Sequence, residues 1–173
     1  MKRKYLCGLL LCLLTVFSII GCAKEEVNGK NENENSSVTN EEMNLEELFQ
    51  EGMDSYTAKG LEAPVLFPEA DPAYLENFYP GIGSIALKQI YVAMAPVTNA
   101  PMEIALVEVE EASDVEVIRN IFQERIDSRA NDSAYPEESA VWKKNGIVTT
   151  SGNYVFMAVM TDDYGIPDVF ILD

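Results

Sequence analysis

Every cysteine of this chain falls within its first 22 residues, as Cys7, Cys12 and Cys22, so whatever folds downstream has no thiol with which to staple itself. A domain without disulfides must be held together by its apolar core. About 130 residues follow Glu42, enough for one such core, and a single globular domain over 43–173 is expected.

The cysteines sit in a segment with its own logic. Lys2-Arg3-Lys4 precedes an apolar run from Leu6 to Ile20, and Gly21 stands directly against Cys22. A cationic start, an apolar stretch of about fifteen residues and a small residue at the end form an export signal. The run is short of the roughly twenty residues that span a bilayer, and Gly8, Thr15 and Ser18 interrupt it. The expectation is a lipoprotein signal peptide over 1–21, cleaved after Gly21, with the Cys22 thiol carrying fatty acyl chains of the palmitate type. Cys7 and Cys12 leave with the signal. The chain is then expected on the outer face of the cell membrane, held by its lipid and otherwise extracytoplasmic.

The formal charge is −17, and the leader carries three basic and no acidic residues, so its removal makes the balance −20. Phosphate backbones and anionic headgroups are bound by clustered Lys and Arg, which excludes nucleic acid as a partner and leaves membrane affinity to the anchor. Residues 24–42 are mostly Asn, Glu, Ser and Lys, with Val27 and Val38 the only larger apolar side chains. Such a stretch cannot bury a face, and 22–42 is expected to be the lipidated cysteine followed by a disordered acidic linker with a span of roughly 25 Å.

From Met43 the pattern becomes structural. Leu45, Leu48 and Phe49 fall at i, i+3 and i+4, predicting an N-terminal helix that Gly52 would stop. Glu62–Tyr79 is turn-rich, with Asp71-Pro72 as cap and first residue of a short helix through Tyr74, Leu75 and Phe78. Gln89–Pro96 and Glu103–Glu110 alternate and predict one hairpin. Ser113 with Glu116 has the form of a capping box opening a long helix. Val115, Ile118, Phe122 and Ile126 stripe its inner face; Arg119, Gln123, Glu124, Asp127 and Arg129 occupy a solvated outer one. Asn131–Glu138 reads as a polar loop. Val141-Trp142, Gly146–Thr150 and Asn153–Met160 read as strands, with Ser151-Gly152 as the tight turn of a second hairpin. The fold class is therefore α+β: an antiparallel sheet from two hairpins, one face covered by the long helix, plus the N-terminal helix.

Phe78-Tyr79-Pro80-Gly81-Ile82, Met102-Glu103-Ile104-Ala105, Ala112-Ser113-Asp114-Val115 leading to Glu124-Arg125-Ile126, Tyr135-Pro136-Glu137 and Gly152-Asn153-Tyr154-Val155 occur in an order and spacing that carry a resemblance. The chain resembles the small clostridial lipoproteins of a domain-of-unknown-function family, number four-three-five-eight, over about Leu45–Asp163. Pro80 departs from the family's usual glycine after tyrosine. The resemblance implies a surface lipoprotein and brings no activity or catalytic residue.

Chemistry must come from inventory. There is no histidine, which removes Ser-His-Asp and Cys-His catalysis and histidine-bound zinc, and acylation of Cys22 would remove the last thiol. Carboxylates such as Glu108, Glu110 and Asp162-Asp163 are too numerous to single out. Ser55 to Lys59 and Ser84 to Lys88 are each one residue too long for a Ser-x-x-Lys dyad. Gly81-Ile82-Gly83-Ser84-Ile85-Ala86 has a dinucleotide-loop form, but no strand precedes it and a glycine turn is the better reading. Asp162, Asp163 and Asp168 are candidate oxygen ligands for a cation, without EF-hand spacing. Tyr74, Phe78, Tyr79, Tyr91, Tyr135, Trp142, Tyr154 and Phe156 could line a glycan groove, though most are spaced as core or sheet residues. Met94, Met102, Met157 and Met160 read as core filler. No cofactor is expected and no enzyme. The expectation is a membrane-tethered, non-catalytic module binding a protein or envelope component, against a carboxylate-based envelope hydrolase or a small-ligand or cation receptor.

Overall fold

The structure, a computed structural model, describes residues 43–97 and 100–172. The expected signal peptide, Cys22 and the linker lie outside the described residues. Five antiparallel strands form one sheet in the order β1-β2-β3-β5-β4. They are β1 (Phe67–Glu69), β2 (Leu87–Met94), β3 (Glu103–Val109), β4 (Ile147–Ser151) and β5 (Tyr154–Val159). β2–β3 and β4–β5 are the two expected hairpins, and β5 pairs with β3 so that Leu106 faces Phe156 across the sheet centre. Gly152, at φ 56°, and Asn153 form the second turn, one residue later than expected. β1 lies within the stretch read as turns. It pairs Phe67 with Met94 at the edge of the sheet.

Helix α1 (Leu45–Ala58) starts where Asn44 accepts hydrogen bonds from the Glu46 and Glu47 amides, and Leu45, Phe49, Gly52, Met53 and Tyr56 bury one stripe. Gly52 does not stop it. A Cβ there would lie 2.2 Å from Cζ of Phe170, so the glycine admits that ring against the helix backbone, and the chain turns only at Gly60, with φ 77°. Asp71 caps α2 (Pro72–Phe78) through the Ala73 amide, as expected.

Two further expectations are corrected. Ser113 and Glu116 make no capping box: Ala112–Asp114 wind into a 3-10 turn and α3 (Val115–Ala130) begins after it with no side-chain cap. Val141 and Trp142 are not in a strand but in α4 (Pro136–Asn145). Proline at its first position, Glu137 and Glu138 in the first turn and Lys143 and Lys144 in the last suit the helix dipole from end to end.

The sheet is also covered on both faces, not one. All seven residues of β3 are buried. Ala105, Val107 and Val109 pack with Ile118, Phe122 and Trp142 of α3 and α4, whereas Ile104 and Leu106 pack with α1 and Phe170 near the C-terminus. A continuous apolar run such as Ile104-Ala105-Leu106-Val107 is what a doubly covered strand requires. Tyr56 ties the C-terminal segment to α1 by donating to the Gly165 carbonyl at 2.7 Å. Burial, then the neighbouring Tyr164, pushes its phenol up to about 12, so it stays a donor through the physiological range.

Candidate functional site

At the face of the sheet covered by α3 and α4 three polar side chains meet from three elements. Tyr79 follows α2, Glu103 opens β3 and Arg125 lies midway along α3. Tyr79 Oη donates to Glu103 Oε1 at 2.6 Å. Arg125 grips the same carboxylate at both oxygens, Nε to Oε1 at 3.0 Å and Nη2 to Oε2 at 2.6 Å. Glu103 is only 3% exposed and Arg125 14%. A carboxylate at that depth is tolerable because the guanidinium fork and the phenol supply donors in place of water. Burial, reinforced by the adjacent Glu103 charge, raises the Tyr79 phenol well above its ordinary value, so it remains a neutral donor. Burial alone would lower the Arg125 pKa, but the bonds and charge of Glu103 outweigh it and raise it.

Arg125 is also clamped between rings. Its guanidinium lies 4.7 Å from the Phe78 centroid and 5.3 Å from that of Trp142, with Arg129, one turn on, at 6.0 Å from the same indole. These are cation–π distances. Beside them opens a crevice of about 110 Å³ walled by Phe78, Met94, Met102, Arg125, Arg129 and Trp142. Trp142 is 2% exposed and its Nε1 has no hydrogen-bond partner among the described residues. Exposed apolar side chains adjoin this wall: Phe67, paired with Met94, Tyr74, whose ring lies 6.0 Å from Phe78, and Val97 of the wall itself are each 55% exposed.

The residues singled out from the sequence fare differently. Asp162 accepts from Lys144 at 2.6 Å and from Asn145 at 2.8 Å, and those bonds, the lysine's first, hold its carboxyl below the usual range. Asp163 is exposed and Asp168 opens a separate 3-10 turn. No group of three or more potential metal ligands gathers among the described residues. The glycine loop is a turn, with Gly81 at φ 92°, and its amides point at a side chain of this chain: Glu76 accepts from Gly81 at 2.7 Å and from Gly83 at 3.2 Å, which lowers its pKa. Glu108, the other buried carboxylate, bonds Lys88 and Gln89. Five residues from Glu103 on one strand, it points to the opposite face, so the two cannot flank a common substrate. Arg129, expected on the solvated face of α3, is 17% exposed and lines the crevice.

A family model described as a domain of unknown function, DUF4358, matches residues 69–160. The chain belongs to the DUF4358 family. Nothing matches among the curated proteins or the solved structures. The matched span contains the whole triad and most of the crevice, whereas α1 and Phe170, which cover the other sheet face, lie outside it. Three of the segments that carried the resemblance to DUF4358 converge in space, contributing Tyr79, Glu103 and Arg125 to one cluster. Inventory alone passed over this cluster. Its signal is one acidic residue at the head of a strand that continues with four apolar residues, and one arginine beside the apolar stripe of an amphipathic helix, each needing a partner at depth.

Proposed function

We propose that this DUF4358 protein is a lipid-anchored extracytoplasmic lipoprotein whose domain is a non-catalytic interaction module, docking a protein or envelope component at the crevice and the exposed apolar side chains beside it. Those side chains carry the reading. Val97 in the wall, Phe67 paired with the wall residue Met94 and Tyr74 against the wall residue Phe78 are each 55% exposed, next to a recess lined by arginine, tryptophan and methionine side chains. Aromatic anchors beside a small pocket lined by arginine are the composition of interaction hot spots. Tyr79, Glu103 and Arg125 bond one another at depth, which suits a rigid wall better than an acid or base in turnover.

Crosslinking on native membranes, read by mass spectrometry, tests the docking. Reproducible partners are expected with the wild-type chain and their loss with Phe67→Ser/Tyr74→Ser, since truncating a hot-spot residue costs about 2 kcal/mol or more. Unchanged capture by the double variant, or no reproducible partner at all, defeats the proposal. The anchor has its own test in metabolic labelling with a fatty-acid analogue. Label should vanish in Cys22→Ser, and label that persists there removes the lipid assignment.

A further inference from the structure

The two edges of the sheet are built differently. β1 is three residues long and carries Pro68 and Glu69, the devices that keep an edge from pairing with another chain. β4, Ile147-Val148-Thr149-Thr150-Ser151, has neither charge nor proline and runs in register with β5 along all five residues. The two-residue turn Gly152-Asn153 makes Ser151 and Tyr154 the closing hydrogen-bonded pair, so by alternation Thr149 and Ile147 also bond β5, and the N–H and C=O of Val148 and Thr150 point outward. Among the described residues no backbone group takes those bonds from outside the hairpin.

We propose that β4 is a pairing edge and that its occupant is a second copy of this chain, docked antiparallel about Thr149 to continue the sheet across a two-fold axis. In that register Val148 faces Thr150 of the other copy and the pair exchanges both backbone hydrogen bonds, twice over, while the Thr149 residues face each other. Charge favours this occupant and this direction. The turn end of β4 lies beside exposed Glu110 and Glu111, for Asn153 reaches the Glu110 carbonyl at 3.4 Å. At the other end Lys144, three residues before β4, pairs with Asp162 at 2.6 Å, so those two charges cancel. Antiparallel pairing sets each acidic end on an ion-paired one, whereas parallel pairing would set two acidic ends together. The strand between is uncharged in a chain of net charge −17, so two copies meet there without like charges opposed. Thr149 donates to the Phe170 carbonyl and accepts from the Leu172 amide, which ties the C-terminal segment to β4, and Ile171 between them is 44% exposed. A five-residue ladder is small against the ~1,200–2,000 Å² of a standard interface, so the dimer is weak and forms with rising concentration.

Sedimentation of the full chain in detergent micelles, from micromolar to submillimolar protein, tests this together with amide exchange. The protein mass should rise toward two chains while the amides of Val148 and Thr150 gain protection and those already bonded to β5 do not change. Thr150→Pro removes an outward donor without touching the β5 ladder and should weaken association at least about tenfold, two of four intermolecular bonds being lost. Should it disturb the fold, by circular dichroism, Thr150→Lys serves instead, since it sets two lysines diagonally across the axis, about 7–8 Å apart. A monomer at every concentration overturns the proposal. So does a dimer that survives these substitutions or leaves Val148 and Thr150 unprotected.

Discussion

Replacing Arg125 with alanine is expected to destabilise the domain by about 3–5 kcal/mol in urea unfolding, a large part of any small domain's stability. The size follows from what the change leaves behind. Glu103, 3% exposed, would keep the Tyr79 phenol as donor but lose both guanidinium bonds, with no water to replace them. The stack with Phe78 and Trp142 would collapse as well. Arg125→Lys keeps the charge and loses the fork, so it should fall between the two. The intact triad need not outperform an apolar one: Glu103→Met with Arg125→Met removes both charges together and should recover most of the loss, the residual cost being a Tyr79 hydroxyl without its acceptor, about 1–3 kcal/mol. Adding Tyr79→Phe removes that residue of the cost. A loss under about 1 kcal/mol for Arg125→Ala would mean that Glu103 finds other solvation, and the cluster would lose its claim to organise the crevice.

That cluster also marks the boundary of what the sequence discloses. Elements declared by local signals are legible: Asp71-Pro72 caps a helix because the aspartate sits two residues before an amide that needs an acceptor, and the stripe Ile118, Phe122, Ile126 is buried as its period demands. Val141-Trp142 misleads, because two large apolar residues between polar neighbours fit a strand as well as one inward turn of a helix. The arbiter is the charge order from Glu137 to Lys144 along its axis. The 3-10 turn at 112–114 defeats the Ser113 signature, since a capping box presumes that the helix starts at once. Tyr79, Glu103 and Arg125 are separated by 24 and 22 residues, and only the sheet register and the seating of α3 bring them together. The motifs shared with the family contain all three without relating them. Contact of that kind belongs to topology, and no local pattern contains it.

Gly52 is the position where a local rule most clearly yields to packing, and Gly52→Ala makes the conflict measurable. In an exposed helix interior the exchange gains about 1 kcal/mol, because alanine surrenders less backbone entropy on folding. Here it is expected to cost about 2 kcal/mol net, within the range for inserting a methyl group into a packed core. The new Cβ would lie 2.2 Å from Cζ and 2.6 Å from Cε2 of Phe170, a fully buried ring. Phe170 also packs on Phe49, with centroids 6.4 Å apart, and its carbonyl accepts from Thr149 on β4. Displacing the ring therefore loosens the C-terminal segment from both α1 and the sheet edge. Protection from amide exchange should fall around Leu172, whose amide bonds Thr149, before it falls in β3. Phe170→Leu in the Gly52→Ala background shortens the opposing side chain and should restore about half of the loss; by itself it leaves a void and destabilises. This reversal of sign between the two backgrounds is the coupling expected of two residues in contact. Additive effects of the two changes would show that Gly52 is present for helix geometry alone, and the close approach of Phe170 would no longer account for a glycine in the middle of α1.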